Sequence, residues 1–160
     1  MDNLWAPWRV EYLTQPPATE CIFCAQGNDR ELLILRRTRL SRVMLNRYPY
    51  SNGHLLISLN RHSADLGELT ADELLELMRE VALCRDILAR SSGAQGFNIG
   101  INLGKAAGAG VEDHLHLHVV PRWYGDSNFM TVVADVRVIP EALLATYDRL
   151  LPFFQAAVEG

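Results

Sequence analysis

His114-Leu115-His116-Leu117-His118-Val119-Val120 alternates imidazoles with aliphatic side chains. In a β-strand a period of two sends successive side chains to opposite faces, so the stretch reads as a strand with a reactive row on one side and an apolar row on the other. At a rise of roughly 3.3 Å per residue, successive imidazoles in such a strand stand about 6–7 Å apart, close enough to act on one substrate or one ion. The chain has 5 histidines, and three are in this stretch. A lone histidine here would read as part of a half-buried strand, whereas three in strict alternation read as chemistry. Neutral imidazole, with an ordinary pKa of about 6.5, is both a nucleophile and a hydrogen-bond donor. Alternate histidines on a strand could also carry a catalytic zinc ion.

Upstream lies Asn102-Leu103-Gly104-Lys105-Ala106-Ala107-Gly108-Ala109-Gly110. Its glycines permit positive φ and close approach of another group, and consecutive amides there could form an anion-binding nest. The other reading is a plain hairpin loop. It is not a P-loop, because Gly100 and Gly104 are too closely spaced and Ala106 stands where Ser or Thr would hold magnesium. Gly104, Gly108 and Gly110 do not spell a dinucleotide fingerprint either. A glycine-rich loop directly before a histidine row favours phosphate chemistry over metal hydrolysis.

Further out, residues 31–38, 43–46, 54–59 and 97–102 are rich in aliphatic side chains and read as strands, punctuated by Pro49, the Asn52-Gly53 turn and Asn60. Thr70 and Glu73 form a capping box that opens a helix. Leu74, Leu77, Met78, Val81 and Ile87 keep its apolar stripe, which reads as core, and Ser91-Ser92-Gly93 ends it. A last helix begins near Pro140 with Leu143, Leu144, Tyr147 and Leu151 on one face, and Pro152 is expected to kink or break it. The sum is an α+β domain: an antiparallel sheet, one long helix between strands and a C-terminal helix. At 160 residues the chain suits a single domain spanning 1–160. Segment 1–20, with Trp5, Trp8 and Tyr12, is expected to pack on that core, on a partner subunit or at the site border.

The net charge of −4 argues against general nucleic-acid binding. Arg36, Arg37, Arg39, Arg42 and Arg47 could steer a polyphosphate, though such a run more often forms a solvated strand face. No apolar run approaches the roughly 20 residues that span a bilayer, and no export signal opens the chain, so the cytoplasm is the expected location. An odd total of 3 cysteines makes a disulfide framework a poor reading. Cys21-Ile22-Phe23-Cys24 could be a redox pair, half a metal site or two small residues in a turn. Cys84, amid Leu83, Ile87 and Leu88, reads as a buried apolar residue.

The run from Gly108 to Trp123, Gly-Ala-Gly-Val-Glu-Asp-His-Leu-His-Leu-His-Val-Val-Pro-Arg-Trp, resembles the signature of the histidine triad (HIT) superfamily of nucleotide hydrolases and transferases. The similarity extends back through Leu45-Asn46-Arg47-Tyr48-Pro49-Tyr50-Ser51-Asn52-Gly53-His54-Leu55-Leu56-Ile57 to Cys21-Ile22-Phe23-Cys24. Residues 121–130 most resemble the bacterial branch described as diadenosine tetraphosphate phosphorylases. The resemblance implies that His116 attacks the α-phosphorus of a nucleotide and carries a covalent nucleotidyl intermediate, released by water or inorganic phosphate. It gives His118 the phosphoryl oxygens and the His114 carbonyl the orientation of the His116 ring. Asn102, Gly108 and Gly110 would cradle the growing charge, Asn46 the ribose hydroxyls, and His54 would join the substrate-binding set. A structural zinc on Cys21, Cys24, His62 and His114, a homodimer and no organic cofactor are implied as well. Two departures stand out. Gly110 and Val111 replace the Gln and Ser or Thr of commoner members, and the link from Asn102 to His114 is one residue longer. The expected reaction is phosphorolysis of diadenosine tetraphosphate. Hydrolysis of dinucleoside polyphosphates or nucleoside phosphoramidates, or a nucleotide-binding regulator with little turnover, are the alternatives.

Overall fold

The computed structural model describes residues 21–126 and 139–157. Trp5, Trp8 and Tyr12, and residues 127–130 of the resembling segment, lie outside the described residues. Among the described residues five strands form one antiparallel sheet: β1 (Ile34–Arg37), β2 (Ser41–Leu45), β3 (Leu55–Leu59), β4 (Gly96–Ile101) and β5 (His116–Arg122). Their spatial order is β1-β2-β3-β5-β4, which seats the histidine strand between two others and leaves β4 at an edge. Helix α1 (Ala71–Ser92) links β3 to β4, and helix α2 (Leu143–Ala156) follows β5.

Alternation along the strands divides the molecule into layers. Val43, Leu45, Leu55, Ile57, Leu117 and Val119 meet Leu77, Val81, Cys84 and Leu88 of α1 and Tyr147, Leu150 and Phe154 of α2 in one core. Residues of opposite parity therefore face away from the helices. There Ile34, Met44 and Leu56 pack with Phe23 in a second, smaller cluster. The triad strand thus anchors its aliphatic side chains under two helices and presents its histidines on the helix-free face.

Local chemistry accounts for the boundaries. Thr70 accepts from the Glu73 amide, and Glu73 accepts in return from the Thr70 amide, the expected capping box. Gly93 closes α1 in the left-handed conformation at φ 63°. Gly53, in the β2–β3 connection, has φ +77°, and a Cβ there would approach Leu88 Cδ2 to 3.2 Å. Turn geometry and the packed helix both require glycine at this position.

Four expectations need correction. The first strand is shorter than 31–38, because residues 28–34 close into turns and Leu33 sits at φ 61°. The stripe on α1 divides: Leu77, Val81 and Ile87 are buried, but Leu74 and Met78 are 41% and 57% exposed. The face that meets the sheet instead includes Cys84 and Leu88, spaced from Val81 by three and then four residues. Pro152 does not break α2, which continues to Ala156. The face that α2 buries carries Thr146, Tyr147, Leu150 and Phe154, while Leu144 stays exposed.

Candidate active site and metal centre

Strand β5 begins at His116, so His114 stands just before it and leaves the expected row. The rings of His116 and His118 are 5.0 Å apart, whereas His114 turns toward the Cys21–Cys24 turn and His62. The break has a local cause: the Leu115 amide donates to the Ser63 carbonyl, tying this approach to the segment that carries His62.

Hydrogen bonds to the main chain fix the proton on each neutral ring. His114 Nε2 lies 3.0 Å from the Leu59 carbonyl oxygen, which can only accept, so the ring proton is on Nε2 and the Nδ1 lone pair faces the sulfurs. His116 Nδ1 donates to the His114 carbonyl at 2.8 Å, which leaves the Nε2 lone pair for attack. The Tyr50 amide donates to His54 Nδ1 at 3.1 Å, and the Asn46 amide nitrogen lies 3.2 Å from the same atom. His54 must then donate from Nε2, and its partner at 2.9 Å is His118 Nδ1. His118 therefore keeps its proton on Nε2, a buried atom with no partner among the described residues. The pair is complementary: a lone pair on His116 and a proton donor on His118, side by side on one face.

Electrostatics keep these rings neutral. Burial, with smaller contributions from His118 and His116, pushes the His54 pKa down to about 3. Burial and the neighbouring His116 bring His118 to about 4. Burial also lowers His116, against the opposing effect of its bond to the His114 carbonyl. Phe23 lies on His116 with ring centroids 4.6 Å apart and planes at 30°. Tyr50 lies parallel to His118 at 5.8 Å, on the more exposed side.

His54, expected to touch substrate, is fully buried with both ring nitrogens engaged, so it positions His118 from behind. The Asn46 oxygen accepts from the Tyr48 amide at 2.9 Å, which gives this residue a turn-forming role, and its amide nitrogen has a second proton beyond the one directed at His54. The loop after β4 includes the short turn Lys105–Ala107, and Gly108 closes it at φ 83°. Added Cβ atoms at Gly108 or Gly110 would meet nothing within 4 Å, so the loop's backbone faces open space. Val111 packs on the Phe23 cluster and brings the end of the loop to the His116 side of the sheet.

Cys21, Cys24, His62 and His114 converge with their ligand atoms all within 4.8 Å of one another. Cys21 Sγ and Cys24 Sγ lie 3.3 and 3.5 Å from His114 Nδ1, and Cys24 Sγ lies 3.3 Å from His62 Nδ1. A tetrahedral ion with bonds of about 2.0–2.3 Å needs its ligands roughly 3.3–3.8 Å apart; these three separations fall in that range, and two thiols with two imidazoles are a set that can hold a metal ion.

Sequence reading missed Arg42. The solvated basic face expected of it does not hold, for Arg42 is 2% exposed and binds the Asn60 side chain and the Ala25 carbonyl. These partners adjoin His62 and Cys24, so one guanidinium clamps both segments of the Cys/His cluster. Phe23 was missed as well, although its place inside the Cys-x-x-Cys turn was the available signal. Three other arginines of the run also have structural partners: Arg36 pairs with Glu80 and Arg37 with Asp29, while Arg47 binds the Glu31 carbonyl. A groove of about 460 Å³ lined by Arg39, Arg79 and Glu76 shares no residue with the histidine site.

The sheet carries His116 and His118 on the face away from the two helices, with the residue that ends the glycine-rich loop, Val111, packed on the same side. The HIT domain model matches residues 29–124, and the chain belongs to the HIT domain family. It is 38% identical over 157 residues to the AP-4-A phosphorylase of Mycobacterium tuberculosis, covering 91% of this chain and 80% of that protein. Among solved structures, it resembles a Zn-bound histidine triad family protein from Mycobacterium smegmatis at 26% identity and TM-score 0.65, covering 79% of this chain and 86% of that one. A hypothetical histidine triad nucleotide-binding protein from Sulfolobus tokodaii gives TM-score 0.65 at 27% identity, covering 87% and 92%.

Proposed function

We propose that this chain is an enzyme that cleaves dinucleoside polyphosphates at an α-phosphorus through a covalent His116 intermediate, with phosphorolysis of diadenosine tetraphosphate as its reaction. The observation that carries the reading is the complementary pair of rings, with the His116 Nε2 lone pair beside the unpartnered His118 Nε2 proton. The 38% identity to a protein named AP-4-A phosphorylase supplies the substrate.

In the first step His116 Nε2 forms a bond to the α-phosphorus and the bond to the bridging oxygen breaks, releasing ATP. Imidazole serves both as nucleophile and as leaving group, which divides one slow displacement into two faster ones. In this reading Gly108, expected to cradle the growing charge, instead spends its amide on the Lys105 carbonyl at 2.9 Å and shapes the loop, while the His118 Nε2 proton and the Gly110 amide meet the charge that grows on the phosphoryl oxygens. Fixed dipoles need no reorganisation in that role. Asn102, at the end of β4, adds a side-chain donor, and the second Asn46 amide proton takes a ribose hydroxyl. Inorganic phosphate then displaces the ring and leaves ADP.

Cys21, Cys24, His62 and His114 hold a structural zinc ion in this reading, since two thiolates and two imidazoles in a closed set match its preference. Zinc would tie His114, and with it the carbonyl that orients His116, to the Cys21–Cys24 turn. A homodimer is supported by apolar surface that no described element covers: Leu74, Leu75 and Met78 on α1, and Ile99 on the edge strand β4, are all at least 41% exposed. The reading keeps residues 1–160 as one cytoplasmic domain.

Chromatography of the nucleotides formed from diadenosine tetraphosphate, with and without millimolar-scale phosphate, tests the reaction. ADP and ATP are expected only when phosphate is present. AMP and ATP in both tubes would make water the acceptor and the chain a hydrolase. No product in either would redirect the search to phosphoramidates or to a binding role.

A further inference from the structure

We propose that Phe23 is a positioning residue for the nucleophile, holding the His116 ring in its attacking orientation from inside the metal-binding turn. The inference rests on the assignment of His116 as nucleophile. A ring held by one hydrogen bond, from Nδ1 to the His114 carbonyl, can still librate about that bond and swing Nε2 off line. Phe23 removes this freedom. It stacks on His116 at 4.6 Å and also meets the His114 ring at 5.2 Å, so one buried side chain braces the nucleophile and a metal-ligand histidine together.

Its own placement is set by the cysteines on either side. The Cys24 and Ala25 amides both donate to the Cys21 carbonyl, at 3.0 and 3.1 Å, closing a tight turn. That turn sends Phe23 inward, where it is 1% exposed, and Ile22 outward, where it is 42% exposed. Ile34, Met44 and Leu56 pack against Phe23 as one cluster and fix the ring from below. With its surface occupied in this way, Phe23 has no exposed face to offer a nucleotide base. Its effect is on the angle and desolvation of the ring that attacks.

The test compares Phe23→Leu, which keeps most of the volume but has no ring to stack, with Phe23→Tyr, which keeps the ring. Metal content, melting temperature, kcat, KM and the NMR shifts of the His116 ring protons are measured on each metal-loaded protein. Phe23→Leu is expected to keep its metal and lower kcat about tenfold or more at nearly unchanged KM, since small misplacements of a reacting group are costly. The His116 ring protons should lose the ring-current shift that a stacked phenyl produces, and Phe23→Tyr should restore both properties. Native kcat in Phe23→Leu, a rise in KM alone, or loss of rate only in proportion to lost metal or lost fold would each overturn the proposal. If the wild-type protein leaves diadenosine tetraphosphate intact, the substrate reading fails, while the His116 shifts still decide whether Phe23 holds the ring.

Discussion

At the scale of single residues, the division of labour between His116 and His118 is set by which nitrogen carries the proton. His116→Ala should reduce turnover by about 10³-fold or more, because a covalent route disappears with its nucleophile. Circular dichroism and nucleotide titration should show a folded protein that still binds. A substitution that retains near-native rate would end the proposed mechanism. The buried pair His54 and His118 also makes a prediction about pH. Their folded pKa values, about 3 and about 4, lie below the ordinary 6.5, so the unfolded chain binds more protons between those limits. Stability from these two rings is complete above about pH 6.5 and falls as the pH drops toward 4, at up to about 1.4 kcal/mol per pH unit for each ring. Thermal melts of wild type and of His54→Asn across pH 7 to 4.5 should differ in slope, the variant being the flatter. Equal slopes would show that His54 does not stay neutral in the fold.

At the scale of elements, the segments that bring Cys21, Cys24, His62 and His114 together are loops held by a strand. Arg42, on β2, joins the Ala25 carbonyl to the Asn60 side chain, and so couples the turn carrying the cysteines to the segment carrying His62. Arg42→Met should weaken zinc binding by about 10–100-fold, the usual effect of losing an outer partner of a metal site. Competition with a chromophoric chelator reads this directly, and unaltered affinity would reduce Arg42 to a packing residue. Element types were legible in the sequence wherever the chemistry was local. The Thr70–Glu73 box, the Gly93 stop and the alternation of residues 116–120 each depend on neighbours a few positions away. Nonlocal effects were hidden. Leu74 and Met78 have the right spacing for a core but sit beside the sheet, and Arg42 looks like its solvated neighbours until Ala25 and Asn60 fold against it.

At the scale of the whole molecule, the sheet separates a helix-covered core from an open chemical face. The resemblance implied the residues of that face, yet their depth was not readable from spacing. His54 proved to stand behind the site, because only the register that pairs Leu56 with His118 and the bend of residues 46–54 place it there. The exposed apolar set on α1 and β4 predicts that Ile99→Asp with Met78→Lys shifts the protein from dimer to monomer in analytical ultracentrifugation. A monomeric wild type would remove the dimer from the reading.

The groups that assign protons to His54, His114 and His116 belong to the backbone: the Tyr50 amide and the Leu59 and His114 carbonyls. Any amino acid at positions 50 and 59 supplies the same amide and carbonyl, proline at 50 excepted. The acid–base identity of the site is therefore insulated from ordinary mutational drift at those positions. Side chains around the pocket can diversify toward new leaving groups or acceptors while the nucleophile keeps its electronic state. A lineage built on this fold can explore substrates without having to reinvent its chemistry.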